Sequence, residues 1–540
     1  MNPRRRVTVM LLTLITGCVL VLVSQTLARR TGAFEQLDLL ADIRHLIVSG
    51  FVEEPDQEQM IESAVRGMVE SLNDPYTIFL DLDELEPFDR QVHGSFSGIG
   101  AEVTIDPDLK RLKIVSPLED SPAWDAGIMA GDIILEIEGV STFEMSLPKA
   151  VKQLTGKEGT PVEIVIQHES GEVRKLTIIR QRINIQTVRG LRRGADNHWV
   201  FMLNPDQGIG YIRITQFTTK TAGELRAALD QLVDRQMHGL ILDVRFNPGG
   251  LLESAVAVSD MFLDGGKQIV SVKGRVVPEH VQKSDSPDTI PNIPIVVLAN
   301  EASASAAEIV TGALSDNGRA KFIGARTYGK GSVQQVRKLD NDLGALKITY
   351  AYYYLPSGRN IHRREDAEVW GVDPDDGFYV PMTFEQARQM IQIRRDGDVL
   401  RPDNGDAQAL EVTPEWLENE LADPQLAAAV RALIGKLESG LWPTVGQAGI
   451  DQIIKQTQRR NLTHQRQRLM DRLDLINDKL AELDRAQEGE AGAEELSAEP
   501  PEPDDAAVQV EPDDLVPEAV DVKEQEQDEE QEPEPAATQP

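Results

Sequence analysis

The spacing of hydrophobic positions changes several times along this 540-residue chain. Over 31–92 it is helical: Leu37, Leu39, Leu40, Ile43 and Leu46 recur, then Met60, Ile61, Val65, Met68 and Leu72. Asn73-Asp74-Pro75 ends the second helix. From 93 to 183 short alternating runs take over. GIGAEVTI (98–105), LKIVSPL (112–118), GTPVEIVIQ (159–167) and VRKLTIIR (173–180) read as strands, with a short helix ending near Leu154. These residues make a β-rich module of ordinary domain size. Residues 184–382 alternate strand and helix. IGYIRI (209–214) precedes a helix from Thr221 to Arg235, and GLILDVRF (239–246), apolar but for Asp243 and Arg245, reads as a continuous strand buried on both faces. A helix after Gly250, strand IPIVVLAN (293–300), helix 305–315 and strand KFIGA (321–325) repeat the order. Such strand–helix–strand units imply parallel strands joined by right-handed crossovers. Residues 383–487 read as helical and polar, and Leu469, Leu473, Ile476, Leu480 and Leu483 come close to a heptad stripe. The expected fold is therefore multidomain: an α/β core at 184–382, a β-rich domain at 93–183, and helical N- and C-terminal segments. The stripe within 465–486 reads either as a helix packed on the body or as a surface for self-association.

Composition changes the picture at both ends. The net charge is −34, but residues 488–540 alone hold 20 acids and one base, Lys523. That segment has no aromatic residue and is rich in Pro, Glu, Asp and Gln, so it reads as a disordered acidic tail. Nothing offers a basic face to phosphates, which excludes nucleic acid as a partner. At the other end, Arg4-Arg5-Arg6 precedes an apolar run from Val7 to Val23, so residues 1–30 read as an export segment. Three forms stay open: a retained signal anchor, a signal peptide cleaved after Thr26-Leu27-Ala28, and a lipoprotein leader, because Ile15-Thr16-Gly17-Cys18 resembles a lipobox. Each exports the body, which places it at the bacterial cell envelope, on the periplasmic side, membrane-anchored or secreted. Cys18 is the sole cysteine, so the body has no internal disulfide and no cysteine nucleophile.

The chemistry concentrates in three stretches. In NEASASAAEIVTGAL (300–314) two serines stand where a buried strand gives way to an apolar helix. A serine there caps the helix, or acts as a nucleophile beside free N–H groups that stabilise an oxyanion. A serine nucleophile needs a base. None of the eight histidines lies in a motif that marks it as catalytic, and no metal-binding spacing appears, so neither a metal nor another cofactor is expected. Lys330, in RTYGKGSVQ (326–334), is the other candidate, since burial lowers a lysine's pKa and frees its amine to accept a proton. Gln334 lies four residues on, within reach to orient that amine. The same stretch nearly matches a phosphate loop, Gly324 to Lys330, but Gly331 stands where a magnesium-binding hydroxyl belongs. NPGG (247–250) is either a plain tight turn or a bare backbone N–H aimed at an oxyanion.

Together these stretches resemble the carboxyl-terminal processing peptidases, or tail-specific proteases. The resemblance rests on GIGYIRITQF (208–217), LDVRFNPGG (242–250), NEASASAAEI (300–309), RTYGKGSVQ (326–334) and YAYYYLPSGRNI (350–361), in that order, and covers roughly 35–382. It implies a serine endopeptidase with a Ser-Lys dyad assisted by a glutamine. The nucleophile falls on Ser305, with Ser303 as a neighbour, the base on Lys330 and its helper on Gln334. The oxyanion donors fall on the N–H of Ala306 and of a glycine of NPGG, Gly249 in preference to Gly250. The 93–183 module resembles the family's PDZ domain, whose carboxylate-binding loop falls on Gly98, Ile99, Gly100 and Ala101. It implies protein or peptide substrates with free C-termini. Two positions depart from the family pattern: Thr155 stands where many relatives carry arginine, and Ala307 where serine is common. The rival reading is a non-catalytic PDZ scaffold of the envelope.

Overall fold

A computed structural model of the chain describes residues 37–285, 290, 292–339, 344–364, 367, 369–401, 412–448, 455, 459, 462–463 and 465–481. The export segment 1–30 and the acidic tail 488–540 lie outside the described residues. Among the described residues no helix is long and apolar enough to cross a membrane. The chain divides into two units, Met1–Arg460 and Asn461–Pro540.

The first unit opens with helix α1 (37–50), helix α2 (Gln57–Glu70), a three-residue strand β1 (Ile78–Leu80) and helix α3 (Leu82–His93). Asp81 caps α3 through a reciprocal bond with Glu84, the local signature that starts a helix. The β-rich domain follows: β2 (Ser95–Gly98), β3 (Ala101–Ile105), β4 (Leu112–Pro117), helix α4 (Pro122–Asp125), β5 (Ile133–Ile137), β6 (Val140–Ser141), helix α5 (Leu147–Leu154), β7 (Pro161–Gln167), β8 (Val173–Ile179) and β9 (Gln181–Asn184). Its main sheet runs β3-β4-β5-β7-β8, with β6 beside β5, while β2 pairs with β9 as a stalk. Leu112, Ile114, Ile134, Ile137, Val162, Ile164 and Ile166 alternate inward to form its core. The β3 strand lies at the sheet edge, so one row of its backbone groups is unpaired within that sheet.

The α/β core holds β10 (Val188–Arg189), β11 (Arg192–Arg193), β12 (Trp199–Val200), β13 (Met202–Asn204), β14 (Ile209–Ile214), helix α6 (Thr221–Asp234), β15 (Gly239–Asp243), helix α7 (Leu252–Asp260), β16 (Gln268–Lys273), β17 (His280–Lys283), β18 (Ile295–Ala299), helix α8 (Ala306–Asp316), β19 (Lys321–Gly324), β20 (Ser332–Lys338) and β21 (Ala345–Tyr354). The central sheet runs β10-β14-β15-β18-β19, and β14, β15, β18 and β19 are mutually parallel. Alternate residues of each strand serve opposite faces. Leu240, Leu242 and Val297 join a core with α6, α7 and α8, whereas Ile241, Val296 and Leu298 join a second core on the other face.

That second face is closed by the C-terminal helices α10 (Pro414–Asn419) and α11 (Pro424–Ser439), with α9 (Phe384–Asp398) fastened to them through Arg394. The helical reading holds for α11, but the polar one does not. Its residues Leu426, Ala427, Ala428, Ala429, Val430, Ala432 and Leu433 are buried and complete the sandwich of helices around the sheet. A buried charge cluster fastens this layer. Arg245, fully buried, donates to Asp243 at 2.7 Å and to Asp423, the N-cap of α11, at 2.7 Å. Arg394 of α9 donates to the same two carboxylates at 2.9 and 2.8 Å. Burial pushes the Asp243 carboxyl up, but Arg245 and Arg394 outweigh it and leave it below the usual carboxylate range.

A second sheet was not foreseen. The long strand β21 pairs with β1, β16 and β20, all antiparallel, and β17 extends β16. It ties the N-terminal segment, read as wholly helical, to the core: Ile78 and Val336 flank Lys347 from opposite sides. In the second unit, residues 465–481 are helical, in keeping with the leucine stripe.

The buried cluster predicts an asymmetry in stability. Asp423→Ala leaves Arg245 and Arg394 short of a counter-charge and should cost about 3–5 kcal/mol in urea unfolding. Glu385→Ala, which breaks an exposed pair on α9, should leave the urea midpoint unchanged.

Candidate active site

Ser305 is the N-cap of α8, directly after the turn that follows β18. Its backbone is forced: φ is 56° and ψ is −115°, a conformation uncommon for any residue but glycine. The turn is held by Ser303, whose hydroxyl is buried, donates to Val244 O at 2.8 Å and accepts from Asn300 N–H at 2.9 Å. With both roles filled, Ser303 is a structural element of the turn, while Ser305 stands half-buried at the wall of a cavity of about 660 Å³. Lys330, Gln334, Gly249, Gly250 and Ala306 line the same cavity, so the expected site residues of the core converge.

What brings them together is Glu308, which is fully buried. Its Oε2 accepts from Ser305 N–H at 2.8 Å and from Lys330 N–H at 2.9 Å. Its Oε1 accepts from Gly329 N–H at 2.7 Å and from the Thr327 hydroxyl at 2.5 Å. One carboxylate thus clamps two segments that lie 25 residues apart along the chain. Burial pushes Glu308 up to about 7 against the pull of these four donors. The ionised form fits the geometry, since all four partners donate. Tyr353 of β21 adds a second clamp, donating to the carbonyls of both Lys330 and Ser305.

The Lys330 amine lies 4.9 Å from the centroid of the Tyr76 ring. Burial, then the neighbouring positive charge of Lys347, pulls its pKa below the usual lysine range, against Glu308 and Asp74. Gln334 sits at a bulge in β20, and its amide nitrogen donates to Ser332 Oγ at 2.9 Å and Thr349 Oγ1 at 3.1 Å. Gly249 and Gly250 have φ of 100° and 143°, and a side chain at either would strike backbone: Ala304 O at 2.7 Å and Phe217 O at 2.0 Å. The Gly249 N–H donates to Asn247 Oδ1 at 2.8 Å, whereas Gly250 N–H takes no acceptor among the described residues. Ala306 opens α8, where helix N–H groups have no intrahelical partner.

In the β-rich domain Gly98 ends β2 and bridges to Thr155, Ile99 is buried in the core, Gly100 turns with φ of 78°, and Ala101 starts the edge strand β3. Thr155 bonds its hydroxyl back to Val151 O at 2.8 Å.

Three family descriptions match the chain: peptidase family S41 at 208–377, a PDZ domain at 113–168 and an activating protease CtpB N-terminal domain at 22–84. The carboxy-terminal-processing protease of Bartonella bacilliformis is 34% identical over 438 residues, which is 78% of this chain and 93% of that one. The chain belongs to the carboxy-terminal-processing proteases of family S41. Its enzyme class is thereby that of a serine protease. The carboxy-terminal processing protease CtpA of Bacillus subtilis is 35% identical over 329 residues, 61% of this chain and 67% of that one. The solved photosystem II D1 C-terminal processing protease is 31% identical, covering 63% of this chain and 86% of that one with a TM-score of 0.37.

Several site residues escaped the sequence reading. Glu308 had a signal, because Ser305 and Glu308 stand at the spacing of a capping box. Tyr76 in the turn before β1, Phe88 of α3 and Lys347 of β21 are brought together by the second sheet and carry no local mark.

The clamp predicts that Glu308→Gln is disabling. An amide presents an N–H to donors that need an acceptor, so casein cleavage should fall at least about a hundredfold and stability by about 1–3 kcal/mol.

Proposed function

We propose that this enzyme cleaves peptide bonds with Ser305 as nucleophile and Lys330 as general base. The observation that carries this reading is the single Glu308 carboxylate accepting the N–H of both residues, which holds them at one cavity wall. The depressed lysine pKa supports it, since a neutral amine is the form that takes a proton. Lys330 Nζ removes the Ser305 hydroxyl proton as Oγ attacks the substrate carbonyl. The oxyanion is met by the Ala306 N–H and by a glycine of 249–250. Gly250 is favoured, because the Gly249 N–H is engaged by Asn247. The ammonium then protonates the leaving amine, and water releases the acyl group from Ser305. Gln334, with its amide nitrogen tethered, orients the lysine through its carbonyl oxygen.

The PDZ domain recognises the free C-terminus of the substrate. The loop Gly98–Ala101 presents backbone N–H groups at the start of β3, and the open edge of β3 suits an added peptide strand. The basic stretch Arg4–Arg6 and the apolar run Val7–Val23 support export and attachment to the envelope membrane.

Ser305→Ala and Lys330→Ala should each abolish casein cleavage, while Ser303→Ala, though less stable by about 1–3 kcal/mol, should keep it. Wild-type activity should climb with pH through a limb below the ordinary lysine value, since the unprotonated amine is the active form. Amidating a peptide's C-terminus should raise its KM severalfold. Cleavage by Ser305→Ala at the wild-type rate would refute the assignment.

A further inference from the structure

The two lysines of the cavity both rest on aromatic rings. Lys330 Nζ is 4.9 Å from the Tyr76 centroid and Lys347 Nζ is 5.3 Å from that of Phe88. Both rings belong to the segment before the PDZ domain, outside the peptidase match at 208–377. Tyr76 is held firmly there. Asp74 accepts from Tyr76 N–H at 3.2 Å and from the Thr77 hydroxyl at 2.6 Å. The Thr77 oxygen in turn accepts from Thr349 N–H of β21 at 3.0 Å. The next residues, Ile78–Leu80, pair with that strand. The ring is thus fixed to the strand whose Tyr353 holds the carbonyls of Ser305 and Lys330.

We propose that Tyr76 is a positioning residue for Lys330, its ring face seating the ammonium that forms when the amine takes the Ser305 proton. This rests on the Ser-Lys reading above. A ring face attracts an ammonium and does little for a neutral amine. As the Oγ–H bond breaks and the Nζ–H bond forms, positive charge appears on Nζ beside the ring. The Oγ–carbon bond forms in the same step, and the carbonyl pair moves onto oxygen. An interaction that grows along this path raises kcat more than it tightens binding. The other groups facing Lys330 divide by sign. Lys347 on β21 opposes the ammonium, and Glu308 on α8 and Asp74 before β1 favour it. Tyr76 itself faces Tyr328, Glu308, Asp74 and His362; burial, then Tyr328, pushes its phenol up, so the ring stays neutral.

The test uses the full chain and a fluorophosphonate probe. Phosphonylation of Ser305 releases fluoride and sends the hydroxyl proton to Lys330. The limiting rate and the probe's half-saturation are measured against pH for wild type, Tyr76→Phe, Tyr76→Leu, Tyr76→Met and Lys330→Ala. Tyr76→Phe should stay within about twofold of wild type. Tyr76→Leu and Tyr76→Met should lower the plateau rate about tenfold with half-saturation little changed, and move the acid limb down by about half to one pH unit. The methionine variant preserves the contrast if the leucine variant does not fold. A wild-type limb and plateau in the ring-less variants overturns the proposal. So does a phenylalanine variant as slow as leucine, which would assign the effect to the hydroxyl. Full labelling of Lys330→Ala would instead sink the dyad reading itself.

Discussion

A buried carboxylate decides the geometry of this site. Among the described residues no cation forms a salt bridge with Glu308; it is held by two backbone segments and a hydroxyl. Each of those donors would otherwise be an unsatisfied group at the end of a strand or the start of a helix, at a cost of about 1–3 kcal/mol apiece. The strained backbone of Ser305 persists because this bond and the helix behind it leave no other arrangement. The same carboxylate fixes the Lys330 loop, so Ser305 and Lys330 share one reference point although they come from different strand ends.

Around that point the layers act as supports. The parallel strands β14, β15, β18 and β19 end near one another, and the turns at their ends carry NPGG, Ser305 and the loop leading to Lys330. Ligand sites outside the carboxyl ends of parallel strands are a general property of open α/β sheets. The charge cluster of Asp243, Arg245, Arg394 and Asp423 lies at the end of β15, a few residues before NPGG. It joins the glycine turn to α9 and α11, so the C-terminal helices bear on the site without touching it. On the other side, β21 carries Tyr353 and Lys347 and binds the N-terminal strand β1. The cavity therefore has walls from segments on both sides of the PDZ domain.

The central sheet was legible because doubly buried parallel strands are unbroken apolar runs, as in 239–242 and 295–299. The PDZ strands were legible because one face is dry and the other wet. Ser305, Lys330 and the NPGG glycines stood out because each sits at a junction that its motif marks, and the structure lines one cavity with them. The second sheet was not. Strand β21 mixes Lys347, Thr349 and tyrosines on half-buried faces, and its partner Ile78 lies 269 residues away, so no local period reveals the pairing. Helix α11 was misjudged for a related reason: its alanines look neutral in sequence and become core only against the sheet. Tyr76 reaches the site through that unseen pairing, and pattern alone gave no reason to look there.

The most direct test of the account is a crystal structure of the chain after phosphonylation by a fluorophosphonate. The account predicts the phosphorus on Ser305 Oγ, an oxygen of the adduct on the Ala306 N–H, Lys330 Nζ within hydrogen-bond distance of Oγ, and Glu308 still accepting from both backbone N–H groups. An adduct on any other residue, or Lys330 turned out of the cavity with Glu308 released from either segment, would contradict it.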